Sequence, residues 1–202
     1  ACNNVTTHVQ TITVQDTTVP VITTQASSIV VECDGSGNQG AVQAWLASNG
    51  GAVATDNCSD VTWSNDFDAL SNDCSAAITV IFTATDACGN TASSSATFTV
   101  QDITAPVTPE APAALTLACA SEVPAAVSLT ATDNCAGEIT ASGVDTIAAG
   151  QCPNSFVITR TWTFTDACNN SSAVSQIITV NDTIAPTFVE ALPTDSTVQC
   201  DA

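Results

Sequence analysis

The sequence predicts an all-β fold of tandem β-sandwich repeats, each stapled by disulfides. Three observations predict it. Apolar residues alternate with Thr and Ser over short runs, whole phrases return along the chain, and the ten cysteines fall into four recurring classes.

The repeats set the frame. "TITVQDTTVP" (11–20) returns as "TFTVQDITAP" (97–106) and "IITVNDTIAP" (177–186), carrying an Asp from 16 to 102 to 182. "ATDNCS" (54–59) returns as "ATDNCA" (131–136), and "TDACGN" (85–90) as "TDACNN" (165–170). The opening "ACNN" is the tail of the latter motif, and the closing "STVQCDA" matches "SIVVECDG" (28–35). Residues 1–17 therefore read as the C-terminal end of a preceding repeat. Residues 18–102 and 103–182 read as two complete repeats, and 183–202 as the start of a following one. Pro20, Pro106 and Pro186 mark short stiff linkers after strand-like runs. The expectation is a window on a longer array.

Within a repeat, "AAITVIFTATD" places Ala76, Ile78, Val80, Phe82 and Ala84 on one face and Thr79, Thr83 and Thr85 on the other. "SATFTVQD" does the same with Phe98 and Val100 against Thr97 and Thr99. "SIVVEC" (28–33) and "VTWSND" (61–66) supply two more strands, rich in residues that suit a half-buried pleated surface. "AVQAWLAS" (41–48) permits one short helix, ended by Gly50-Gly51. The second repeat lacks that insert. Several short strands with turn signals in about 80 residues point to an immunoglobulin-like sandwich.

Strand direction suggests a disulfide pattern. Cys74 and Cys88 bracket a strand of roughly 30 Å at ~3.3 Å per residue, too far for a bond that needs Cα atoms within ~7 Å. The last strand runs toward the next repeat, and its antiparallel predecessor runs back. That puts Cys33 and Cys74 at one end, Cys58 and Cys88 at the other. The expected bonds are Cys33–Cys74, Cys58–Cys88, Cys119–Cys152 and Cys135–Cys168, each contributing about 3–4 kcal/mol. Cys2 and Cys200 are left unpaired within the chain; a reactive thiol there would lack a basic neighbour.

Charge restricts the partners. Twenty acidic residues face one basic one, for a net charge of −19. No surface can neutralise phosphates, so nucleic acid and anionic membrane are poor partners. With one His and no CxxC spacing, zinc is a poor reading of the cysteines; an oxidising, extracellular location is the better one. No apolar run is long enough for membrane insertion.

Hard oxygen ligands make Ca²⁺ the matching cation. The topology brings the turn aspartates and a linker aspartate to one end of each repeat. Asp16, Asp56, Asp86 and Asn90 would surround one junction, and Asp102, Asp133, Asp166 and Asn170 the next. The same residues are ordinary turn formers, so a cation site and a set of capped turns both remain open. Arg160 lies on the core parity of "FVITRTWTF", where its counterpart is Val80, and needs a carboxylate such as Glu138 or Asp145. No nucleophile elbow or specific carboxylate pair is present, and His8 reads as solvated, so no catalysis is expected.

The string "AWLASNGGAVATDNCSDVTWSNDF…C…FTATDACGNTASSSATFTVQDITAP" resembles the hyalin-repeat-like, four-cysteine immunoglobulin-like modules that occur in tandem in giant surface proteins and adhesins of Bacteroidota-type bacteria. The second repeat departs from it by losing the helical insert and reading "ACNN" for "ACGN". The resemblance implies export, an extended stalk or filament, and no catalysis. Partners would be neighbouring repeats or identical subunits, with surface glycans a further class. "DTT", "DTI" and "DST" resemble the O-glycosylation sites of such bacteria, with Thr17, Thr146, Thr183 and Ser196 as acceptors. The alternative is a carbohydrate-binding accessory module of a secreted enzyme, which an exposed aromatic platform would favour.

Overall fold

The computed structural model describes residues 2, 4–70, 74–152, 154–183, 185, 187, 188, 190 and 195–197. They form two compact units. The first runs to Pro106 and includes Thr132–Gly137 and Thr165–Asn170; the second holds Val107–Ala131, Glu138–Phe164 and the chain from Ser171 onward.

The first unit is built on the alternating runs. Strands β1 (Val21–Thr24), β2 (Ile29–Glu32), β3 (Val53–Thr55), β4 (Thr62–Asn65), β5 (Ala77–Thr85) and β6 (Thr91–Gln101) form a β1-β3 ribbon and a β2-β6-β5-β4 sheet. β5 and β6 pair antiparallel in unbroken register from Ala77↔Thr99 to Thr85↔Thr91. β2 runs parallel to β6, Ile29↔Phe98 to Glu32↔Gln101. The period-2 pattern decides which face is covered: Val80, Phe82, Ala84, Phe98 and Val100 are buried. On the opposite face Thr79 and Thr97 share a hydrogen bond of 3.1 Å across the strands.

The insert predicted over 41–48 forms helix α1 (Gln39–Ala47) and covers the buried face with Val42, Trp45 and Leu46. The Trp45 ring meets Phe82 edge-on at 5.1 Å and tilts against Phe98 at 5.5 Å. Its indole N–H donates to the Ser27 carbonyl at 3.0 Å, so its one polar atom is satisfied. A left-handed turn ends the insert at Gly50, φ 63°, where a Cβ would stand 3.0 Å from the Phe82 ring.

In the second unit, β7 (Leu115–Leu117), β8 (Ser128–Asp133), β9 (Gly137–Ser142), β10 (Val144–Ala149), β11 (Ser155–Thr165) and β12 (Ser171–Asn181) form a β10-β11-β12-β7 sheet and a β8-β9 hairpin. The tips of the β8-β9 and β11-β12 hairpins are the segments counted with the first unit. β7 runs parallel to β12, as β2 does to β6. Ile158, Trp162, Phe164, Ile178 and Val180 are buried. Among the described residues no α-helix covers this face. Trp162 stands where the first repeat has Phe82, and its larger ring is buried with its N–H donating to the Val127 carbonyl at 2.7 Å. Together the two units are tandem immunoglobulin-like β-sandwich repeats held by disulfides.

The disulfides correct the expected pattern. The bonds are Cys33–Cys135 and Cys74–Cys168, with Cα atoms 5.4 and 5.3 Å apart. Neither Cys33–Cys74 nor Cys135–Cys168 forms, and Cys58, Cys88, Cys119 and Cys152 are exposed free thiols, so Cys58–Cys88 and Cys119–Cys152 do not form either. Sheet order explains the error. Cys33 follows β2 and Cys74 precedes β5, but β6 lies between those strands. Two interstrand spacings of ~4.8 Å separate them, about 10 Å where ~7 Å is the limit. Cys119 after β7 and Cys152 before β11 are separated by β12 in the same way. Cys2 is exposed and free, and Cys200 lies outside the described residues.

Candidate functional site

Each of the two acidic clusters is built from three turns of one design. In "TDNC", the Asp56 carboxylate accepts the N–H groups of Cys58 and Ser59 at 2.8 and 3.2 Å. Asp133 accepts those of Cys135 and Ala136 at 2.8 and 2.7 Å. In "TDAC", Asp86 accepts the N–H groups of Cys88 and Asn90, both at 2.8 Å, and Asp166 those of Cys168 and Asn170 at 2.8 and 2.9 Å. In the linkers, Asp16 accepts from Thr18 at 3.0 Å and Asp102 from Thr104 at 3.2 Å. These are side-chain-capped turns, which is why Asp recurs there.

The asparagines tie linker to turn. Asn90 donates from Nδ2 to the Asp16 carbonyl at 3.3 Å and to Asp86 Oδ2 at 2.7 Å. Asn170 donates to the Asp102 carbonyl at 3.1 Å and to Asp166 Oδ2 at 2.9 Å. The structure thus brings Asp16 with Asp86 and Asn90, and Asp102 with Asp166 and Asn170. Carboxylate oxygens of Asp16, Asp56 and Asp86 lie within 4.8 Å of one another, as do oxygens of Asp102 and Asp166 with the Cys168 sulfur. That sulfur is committed to Cys74.

Turn capping uses only part of this oxygen inventory. Asp16 Oδ2, Asp56 Oδ1, Asp102 Oδ2 and Asp133 Oδ2 are buried and accept no hydrogen bond. Such atoms are costly unless a donor or cation meets them. Asp102 is only 6% exposed. Burial raises its pKa against the Thr104 N–H, and the charges of Asp133, Asp166 and Glu32 raise it further. At Asp86 burial is the largest influence, but the hydrogen bonds from Asn90, Cys88 and Gly89 outweigh it and hold the carboxyl below its ordinary value. The Asp16 carboxylate, then burial and Asp56, push the Cys58 thiol up, away from nucleophilic character.

Sequence reasoning missed Glu32 and Asn134. Glu32 accepts from the Ile103 N–H at 3.0 Å and the Thr104 hydroxyl at 2.7 Å, fixing the linker beside Asp102. Asn134 donates to the Cys33 carbonyl at 2.7 Å, beside the Cys33–Cys135 bond. Asn134 is placed by pairing the Cys33 region with "TDNC", and Glu32 by the β2–β6 pairing that sets it opposite Gln101; the repeat phrases announce neither.

Arg160 is buried and makes a two-pronged contact with Asp145, at 2.7 Å from Nε and 2.9 Å from Nη2. Of the two carboxylates considered, Asp145 is therefore the partner. Trp45 and Trp162 are buried and Trp63 is half-buried against the core, so none offers an exposed platform for a sugar ring. His8, Thr17, Thr146, Thr183 and Ser196 are exposed.

Residues 107–180 match the family model described as "HYR-like domain with 4 cysteines". The matched stretch contains Cys119, Cys135, Cys152 and Cys168. Among solved structures, the tandem Ig repeats of Dlar are similar at 12% identity, covering 80% of this chain and 97% of that one with a TM-score of 0.23. No curated protein matches the chain.

Proposed function

We propose that this chain, whose residues 107–180 match the model of an HYR-like domain with four cysteines, is a length of extracellular stalk or filament whose joints are rigidified by Ca²⁺. The reading as an immunoglobulin-like adhesive or structural module is supported by the match of residues 107–180 to the HYR-like model and by the disulfides. The finer reading rests on one observation: the capped acidic turns occur twice, and each set has two buried carboxylate oxygens without a hydrogen-bond partner, in Asp16 and Asp56 and in Asp102 and Asp133.

The donor set fits calcium. The ligands are hard oxygens, and Ca²⁺ takes six to eight of them at ~2.3–2.6 Å. Asp16, Asp56 and Asp86 would hold one ion, and Asp102, Asp133 and Asp166 the other. Asn90 and Asn170 would orient the linker carbonyls beside them. The ion would supply positive charge where Lys is absent, and binding to the folded form alone would stabilise it. Neighbouring repeats are the natural partners, and the exposed hydroxyls of Thr17, Thr146, Thr183 and Ser196 leave room for surface sugars.

Thermal melting with and without chelator tests this. Added Ca²⁺ is expected to raise Tm, and Asp102→Asn with Asp16→Asn to abolish the rise while leaving the fold intact. A Tm indifferent to chelator would reduce the clusters to capped turns. Electron microscopy of the unreduced chain should show an elongated particle.

A further inference from the structure

Cys135 and Cys168 have sequence counterparts in Cys58 and Cys88, and the local geometry is the same. Asp56 caps the Cys58 turn as Asp133 caps that of Cys135. Asp86 caps the Cys88 turn as Asp166 caps that of Cys168. Asn90 holds the Asp16 carbonyl as Asn170 holds that of Asp102. One difference remains: Cys135 and Cys168 are bonded to Cys33 and Cys74, whereas Cys58 and Cys88 are exposed thiols.

A second observation says what covers them. Residues 4–16 are the counterpart of 170–182, so Ile12 and Val14 correspond to Ile178 and Val180. Those two are fully buried in β12, whereas Ile12 is 77% and Val14 94% exposed. By sequence the arm 4–15 matches the final strand of a repeat, and it leads into a linker whose Asp16 already sits in the first cluster.

We propose that Cys58 and Cys88 are the receiving half of a second two-disulfide joint. The partner is a repeat of this same class that takes residues 4–15 as its last strand and presents cysteines equivalent to Cys33 and Cys74. The rule is that Cys33 and Cys74, and their counterparts Cys119 and Cys152, bond forward, to the counterparts of Cys58 and Cys88 in the next repeat. Cys119 and Cys152 are then the giving half toward the following repeat. In the second unit, Cys119 lines a cavity of about 300 Å³ with Ser121, Asn154 and Asp182, and Cys152 lines one of about 490 Å³ with Ile147 and Phe156. The inference rests on the tandem-module reading but not on calcium. Each new bond joins two thiols by exchange with an oxidised dithiol of the export compartment. One thiolate attacks its disulfide, the partner thiolate resolves the mixed disulfide, and two electrons and two protons leave on the oxidant.

The test is an in-phase insertion: a second copy of residues 17–102 placed directly after Asp102 in the full chain. Four cysteines are added. The rule predicts two more disulfides and no more alkylatable thiols than in the parent chain. Cys58→Ser in the inserted copy alone should then release one thiol, at Cys33 of the earlier copy. Cys58–Cys88 or Cys33–Cys74 bonds, or four additional free thiols, would overturn the proposal. The unreduced peptide map of the parent chain isolates the premise: absence of Cys33–Cys135 and Cys74–Cys168 would remove it, whereas loss of the Ca²⁺ response alone would leave the rule standing.

Discussion

Arg160 and Asp145 face each other across β10 and β11, paired in register and joined by two charge-assisted hydrogen bonds of 2.7 and 2.9 Å. The chain's only basic residue is therefore spent inside the second unit. The hydrogen bonds to Arg160 hold Asp145 below its ordinary pKa despite some burial, and the same contact raises Arg160.

Replacing Asp145 should therefore leave a buried guanidinium unpaired. Asp145→Asn is expected to cost about 2–3 kcal/mol in urea unfolding. That is less than for a fully buried pair, because the Asp145 side chain keeps 33% exposure. The pH dependence has a definite sign. A carboxylate depressed by folding contributes stability above its unfolded pKa and loses it as pH falls through the folded one. The gap between the parent and Asp145→Asn should be full near neutrality and close on acidification below the usual carboxylate range. Arg160→Met combined with Asp145→Asn should recover most of the loss, since it removes the buried guanidinium that Asp145→Asn alone leaves unpaired.

Gly35 controls the first disulfide. Its φ is +69°, and a Cβ there would lie 2.6 Å from the Asn134 carbonyl oxygen. Asn134 is also the residue that donates to the Cys33 carbonyl. Gly35→Ala must push that loop away and should impair the Cys33–Cys135 bond while sparing Cys74–Cys168. Alkylation of unreduced protein followed by peptide mapping reads this out: a labelled Cys33 is expected in the variant and not in the parent.

These two sites differ in how far the sequence announced them. The strands, the helix over the insert, the core parity of Arg160 and the end of the sheet at which each cysteine sits follow from period 2 and chain direction, which are local. Which strand lies beside which is not local. Cys33 and Cys74 stand at the same end of one sheet, but β6 between β2 and β5 keeps them apart. A repeat in sequence is not a closed unit in space here. The segments carrying Cys135 and Cys168 belong to the first unit. The aspartates, by contrast, are legible because each caps its own turn, a local rule that the repeat then duplicates.

The absence of an α-helix among the described residues of the second repeat leads to a last pair of variants. In the first unit the space above Phe82 is filled by Trp45, edge-on at 5.1 Å. In the second, one larger ring at the Phe82 position does the filling: Trp162 is 1% exposed, and Gly143 beside it leaves no room for a Cβ, which would stand 2.9 Å from the indole. The swap should therefore fail in both directions, for opposite reasons. Phe82→Trp drives an indole against Trp45, an overpacking cost of about 1–3 kcal/mol. Trp162→Phe leaves a cavity and strips the Val127 carbonyl of its donor, also about 1–3 kcal/mol. Shortening Trp45 in the Phe82→Trp background should relieve the first cost. Nothing comparable is available to Trp162→Phe, because that core has no helix to move. Urea unfolding of the three variants decides it: if Phe82→Trp is neutral with Trp45 intact, the helix is not the packing partner that sets the size of the residue at that position.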